Sequence, residues 1–209
     1  MRGRPCRRTG LVLLLGVLGA LWSCSRDEPR LSPLAPDDTV VALGDSLTAG
    51  TGAPAEESYP EVLGRLLGRP VLNSGRPGET TTEGLRRLPG VLKTHRPRLV
   101  ILCEGGNDFL RGTPPKVVEA NLRRMIQTVR EFGAELVLVA VPRPGLLVPV
   151  PDLYEDLGEE FGIPVEAEVL REVLTAPALK SDPIHPNARG YRRIAEALAS
   201  LLRRAGAVD

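Results

Sequence analysis

Aromatic residues are scarce in this chain of 209 residues, which has one tryptophan, three tyrosines and three phenylalanines. The tryptophan, Trp22, lies in an N-terminal apolar leader, so a form that loses the leader is expected to show no tryptophan fluorescence. No basic run interleaved with aromatics occurs, and 27 Lys and Arg against 26 Asp and Glu leave the chain near neutrality, which argues against nucleic acid as a partner. Four of those cations, Arg2, Arg4, Arg7 and Arg8, sit in a leader without acids, so the remaining body is slightly acidic. Two histidines and three scattered cysteines form no metal-ligand spacing, and no metal is expected. The strained G-x-S-x-G elbow is missing, as is a glycine-rich phosphate loop followed by Lys-Ser or Lys-Thr, which disfavours nucleotide chemistry. No cofactor is implied.

The apolar run Leu11 to Trp22 is shorter than the ~20 residues a spanning helix needs. A basic start, this run and a small residue before Cys24 instead read as a targeting signal over residues 1–23. Leu21-Trp22-Ser23-Cys24 resembles the bacterial lipoprotein signal, with Trp22 where a small residue is usual. That resemblance implies cleavage before Cys24, its lipidation, and an exported protein held at the cell envelope by a lipid anchor. Cys6 is then discarded and Cys24 acylated, so Cys103 has no disulfide partner; in its apolar run it reads as a small buried hydrophobe. Residues 24–38, with Pro29, Pro33 and Pro36 among polar residues, read as a tether, and residues 39–209 as one domain.

Within the domain, strands and helices alternate without repeats. Val40 to Gly44, Pro70 to Asn73, Arg98 to Cys103, Leu136 to Val141 and Ile163 to Val165 read as strands, the third a continuous apolar run suited to a buried parallel sheet. Helices are expected over Glu61 to Leu67, from about Thr80 to His95 with Pro89 and Gly90 weakening the middle, over Pro114 to Phe132, Asp152 to Phe161 and Ala167 to Leu174, and from Pro186 or Asn187 onward. The pattern predicts a three-layer α/β/α sandwich with right-handed crossovers. Pro142 to Pro151 holds four prolines among Leu146, Leu147, Val148 and Val150, and reads equally as an apolar substrate wall or as a segment packed on the domain.

In an open parallel sheet, ligands bind outside the carboxyl ends of the strands. Ser46, two residues past the glycine that ends the first strand, stands there as a candidate nucleophile, although serine after Gly-Asp is also ordinary helix-capping chemistry. A hydroxyl nucleophile needs a base, and the base an orienting acid. His95 lies among cations at a helix end and suits dipole or capping contacts better than catalysis. His185, in Asp182-Pro183-Ile184-His185-Pro186, sits in a proline-stiffened loop whose three-residue offset lets Asp182 and His185 share one side. Donors for a developing oxyanion are available in two glycine-rich loops, from the Gly75 N–H and the Asn107 side chain.

These four segments, Gly44-Asp45-Ser46-Leu47, Gly75 within Asn73 to Thr80, Gly105-Gly106-Asn107-Asp108 and Asp182-Pro183-Ile184-His185-Pro186, resemble in order the blocks of the SGNH, or GDSL, esterase and lipase superfamily. The resemblance spans Val40 to about Leu202 and is nearest to the bacterial thioesterase I, lysophospholipase and arylesterase branch. It implies a flavodoxin-like five-stranded sheet in the order 2-1-3-4-5. It implies Ser46 as nucleophile, His185 as base oriented by Asp182, and an oxyanion hole of the Ser46 N–H, the Gly75 N–H and the Asn107 side chain. The activity implied is hydrolysis of carboxylic esters or thioesters through an acyl-enzyme, by a monomer acting on small-molecule or lipid esters. Two other readings stand beside it: an O-acetyl esterase of carbohydrate or peptidoglycan, and a surface lipoprotein that binds acyl ligands without turnover.

Overall fold

The computed structural model describes residues 29–145 and 148–209. The leader, Cys24, and Leu146 and Leu147 of the proline-rich loop lie outside the described residues.

The first strand, β1 (Val40–Gly44), is wholly buried and passes through Asp45 into a single helical turn, α1 (Ser46–Ala49). Helix α2 (Tyr59–Leu67) follows, closed by Gly68 in the left-handed conformation as expected of a C-terminal glycine. Strand β2 (Val71–Gly75) leads to α3 (Thr81–His95), whose start is a reciprocal capping box between Thr80 and Glu83. Pro89 does not break this helix: Leu88 and Leu92 on either side are fully buried, and packing of that face offsets the one hydrogen bond a proline forfeits. Strand β3 (Leu99–Cys103), buried throughout, runs into α4 (Gly106–Leu110) and then the amphipathic α5 (Pro115–Glu131). Strand β4 (Glu135–Val139), α6 (Leu153–Phe161), the two-residue β5 (Val165–Glu166), α7 (Val169–Thr175) and α8 (Ala188–Arg204) complete the chain.

All strand pairs are parallel and the order is β2-β1-β3-β4-β5, so the carboxyl ends of β1, β2 and β3 open on one edge. The three-layer α/β architecture and strand order expected of the sequence are those observed. The last strand falls two residues later than its apolar signal, because only Val165 and Glu166 pair with Leu138 and Val139. The glycine-rich stretch after β3 is helical from Gly106 rather than a loop throughout.

The tether also differs from expectation. Leu31 and Leu34 are buried, and their N–H groups donate to the carbonyls of Ala205 and Ala207 beyond α8. Ser32 donates to Glu135 through both its N–H and its hydroxyl. Residues 31–34 are therefore docked on the domain, whose boundary lies before Thr39. Two leucines among polar and proline residues are a weak sequence signal, yet burying each contributes on the order of 1.5–3 kcal/mol.

Candidate active site

Asp45 caps α1 by accepting from the Leu47 N–H at 2.9 Å, and this fixes Ser46 as the first residue of the turn at the mouth of the sheet. The N–H of Ser46 is one of the first-turn donors that have no intrahelical acceptor. Opposite, Lys180 and Pro186 form a short bridge, and the Ser181 N–H donates to the His185 carbonyl at 3.0 Å, closing the Asp182 to His185 loop at its base. Asn187 then caps α8 by accepting from the N–H groups of Arg189 and Gly190. The buried Tyr191, one turn into that helix, donates its hydroxyl to the Thr51 carbonyl at 2.8 Å. A helix close to the C-terminus is thus tied to the loop beside Ser46, and His185 comes with it.

The result is a continuous relay. His185 Nε2 lies 3.0 Å from Ser46 Oγ, and its Nδ1 lies 2.7 Å from Asp182 Oδ2. Asp182 Oδ1 accepts from the N–H groups of Ile184 at 2.9 Å and His185 at 2.8 Å, so one carboxylate oxygen shapes the loop while the other orients the ring. Partial burial opposes ionisation of Asp182, but hydrogen bonds from the His185 ring and from the two N–H groups outweigh it and hold the carboxyl below its ordinary value. The acid is therefore charged wherever the imidazole is to act as a base. Such a set can take a proton from the serine hydroxyl and return it to a leaving group.

Of the expected oxyanion donors, the structure brings Asn107 to Ser46 and leaves Gly75 out. Gly75 belongs to β2, donates its N–H to Asn73 Oδ1 at 3.0 Å, and is pressed against α1 so closely that a Cβ there would lie 2.1 Å from the Ala49 nitrogen. It is a packing glycine. Gly78, three residues on in the loop after β2, lines the cavity with Ser46 and Asn107. Its φ of 79° is open to glycine and costly to other residues, and its N–H has no partner among the described residues. Of the two glycines, Gly78 is the one that lines the cavity with its N–H unengaged among the described residues. No local signal in the sequence separates it from Gly75; in the structure the carbonyl of the next residue, Glu79, accepts from Asn107 Nδ2 at 3.0 Å.

Asn107 Nδ2 also donates to Asp45 Oδ2 at 3.0 Å, so both amide hydrogens are placed, and with two oxygens as partners the amide orientation is unambiguous. Asp45 is 2% exposed, and burial pushes its carboxyl up to about 6 against the pull of the Leu47 N–H and the charge of His185. Cys103 is buried with its thiol pushed up by burial, in keeping with a packing role. His95 is exposed at the end of α3, away from the relay.

Above Ser46 opens a cavity of about 590 Å³, within the range of small-molecule sites. Pro142, Pro144 and Val148 of the proline-rich loop line one side while Val150 packs against the core, so the segment does both things its sequence allows, and Leu110, Leu174 and Ile184 contribute further apolar surface around the cavity. Arg143 and Lys180 supply cations, and the Arg143 guanidinium stands 5.3 Å over the Phe109 ring.

Residues 42–193 match the GDSL-like Lipase/Acylhydrolase family. An arylesterase of Vibrio mimicus is 36% identical over 176 residues, covering 79% of this chain and 88% of that protein. A protein of Escherichia coli strain K12 described as thioesterase 1/protease 1/lysophospholipase L1 is 35% identical over 173 residues, covering 79% and 83%. Among solved structures, the crystal structure of TesA superposes with a TM-score of 0.73 at 26% identity, covering 80% of this chain and 99% of that one.

Proposed function

Because the chain belongs to the GDSL-like lipase/acylhydrolase family and is an SGNH serine ester hydrolase, we propose that Ser46 is its nucleophile, His185 its general base and Asp182 the orienting acid, acting on esters or thioesters of medium-length acyl chains. The observation that carries this reading is the unbroken Ser46–His185–Asp182 relay at the floor of a largely apolar cavity. Ser46 Oγ attacks the carbonyl carbon as its proton passes to His185 Nε2. The tetrahedral oxyanion is held by the N–H groups of Ser46 and Gly78 and by Asn107 Nδ2. A full negative charge competes well with the neutral Glu79 carbonyl for one Asn107 hydrogen, so this donor strengthens as charge develops. His185 then protonates the departing alcohol or thiol, the C–O or C–S bond breaks, and water repeats the sequence to release the acid.

The walls set the substrate. Each methylene buried in an apolar site contributes about 0.8 kcal/mol, roughly a fourfold gain in kcat/KM, until the space is filled. A ladder of nitrophenyl esters from acetyl to palmitoyl is expected to rise from acetyl, peak at a medium chain and fall. A maximum at acetyl would overturn the acyl-chain assignment and turn attention to acetylated glycans.

We place the enzyme at the cell envelope through acylation of Cys24, on the strength of the leader's pattern. Labelled palmitate is expected to enter the wild-type protein and not Cys24→Ser in a bacterial host. Equal labelling of the two would remove the anchor.

A further inference from the structure

Glu104, between β3 and α4, is completely buried, and neither of its carboxyl oxygens has a donor within reach. Its surroundings explain why this is unusual. The residue it faces at hydrogen-bonding range is another acid, Glu79, whose carboxylate is gripped by the Arg87 guanidinium of α3 through Nε and Nη2 at 2.6 Å each. Arg87 also donates to the hydroxyl and carbonyl of Ser74 in β2 at 2.8 Å and to the Gly44 carbonyl of β1 at 3.3 Å, so the guanidinium is turned to the strand ends as well as to Glu79. The other titratable or charged neighbours are Asp45 after β1, Cys103 at the end of β3 and Tyr154 of α6, whose hydroxyl donates to the Glu104 carbonyl rather than to its side chain. Three buried acids thus share one cation. Two uncompensated charges in this interior would be expensive, whereas one proton between two facing carboxyls removes a charge and supplies the missing donor together.

The space for Glu104 is reserved by the sequence of α3. Gly84 lies alongside, and a Cβ there would come within 2.9 Å of Glu104 Oε1. What the pair supports is the oxyanion side of the site, because the Glu79 carbonyl and Asp45 are the two acceptors that hold the Asn107 amide.

We propose that Glu104 is a positioning residue kept as the neutral acid, whose carboxylic O–H donates to the Glu79 carboxylate and so holds the Glu79 carbonyl, and through it the Asn107 amide, beside Ser46. The link to turnover rests on the reading of Asn107 as an oxyanion donor; the proton itself does not. Burial, with the nearby charge of Asp45 and the contact with Glu79, pushes the Glu104 carboxyl well above its ordinary 4.5. The stability gained from holding this proton is full below about 4.5 and is lost as pH rises through the higher value of the folded protein.

The test compares wild type, E104Q, whose amide still donates to Glu79, and E104L, which has no donor. In difference infrared spectra at neutral pH, wild type is expected to show a carboxylic-acid carbonyl stretch that E104Q lacks. The wild-type melting temperature, relative to that of E104Q, is expected to fall as pH is raised from 4.5. Identical acid-band spectra, or melting temperatures that run parallel with pH, would overturn the neutral acid whatever the activity. With a nitrophenyl ester, E104L is expected to lose about tenfold in kcat with KM steady, the cost of one misplaced hydrogen bond in the transition state, and E104Q to recover most of it. Equal kcat in E104L and wild type would overturn the positioning role even if the proton is present. Should E104L not fold, E104Q still decides: a loss of kcat in that variant as large as in Asn107→Ala overturns the role, because its donor to Glu79 is intact.

Discussion

Ser46→Ala is expected to lower kcat by roughly 10⁴-fold or more, and adding His185→Ala to cost little further, because groups that act as one relay are lost together. The alanine removes one oxygen from a turn whose cap, the Asp45 bond to the Leu47 N–H, does not involve that hydroxyl. Among the described residues the hydroxyl's one side-chain partner is His185 Nε2, so the fold and the thermal midpoint are expected to be nearly unchanged. Residual turnover would come from the donors at Ser46 N–H, Gly78 and Asn107, which still polarise a bound carbonyl for attack by water. Steady-state kinetics on a nitrophenyl ester, with labelling by a fluorophosphonate probe, check both points. Full activity in Ser46→Ala, or a double variant whose loss is the product of the two single losses, would remove the relay.

The parts of the site that could be read from the sequence are those where local chemistry and global placement agree. A buried strand ending in Gly-Asp-Ser places a hydroxyl at the sheet's open edge whatever the rest of the chain does, and two prolines around Asp182 and His185 restrict that loop before it packs. The strand order came with the family resemblance, since alternation alone allows several orders. What escaped was decided by contacts invisible along the chain. Gly75, the last residue of β2, and Gly78 in the loop after it lie three residues apart, and only the Asn73 side chain that takes the Gly75 N–H, together with the helix pressed against Gly75, separates packing glycine from donor. Helix α4 has five residues, too few for periodicity to register, and exists because it is anchored: the Asp108 carboxylate accepts from the N–H and hydroxyl of Thr81 at 2.7 and 2.9 Å, joining α4 to the start of α3.

Glu104 shows the same limit from the other side. An acid in a glycine-rich stretch reads as solvated, and nothing nearby in sequence announces that Glu79, 25 positions earlier, will face it with its charge already committed to Arg87. The two leucines that dock residues 31–34 are legible only once Ala205 and Ala207 are known to present their carbonyls to them.

Asp182→Asn is expected to lower kcat by roughly 10³- to 10⁴-fold with KM little changed, although the side chain is 44% exposed and the substitution is isosteric. The reason lies in how the carboxylate is held. Oδ1 accepts from two backbone N–H groups, of Ile184 and His185, and an asparagine keeps those bonds only by directing its carbonyl oxygen to them. Its amide nitrogen then occupies the place of Oδ2, facing His185 Nδ1, where a donor now stands in place of an acceptor. The ring answers by leaving Nδ1 unprotonated and carrying its proton on Nε2. In that tautomer Nε2 donates to Ser46 Oγ and cannot take the serine proton, so the geometry survives while the chemistry stops. Asp182→Ala imposes no tautomer but frees the loop, and the Asn variant is therefore expected to be no more active than the Ala variant. Nitrogen NMR of the His185 ring reads the tautomer directly, with the proton moving from Nδ1 in wild type to Nε2 in the Asn variant. An Asn variant that keeps near-wild-type kcat with the wild-type tautomer would take Asp182 out of the relay and leave it as a shaping residue of its loop.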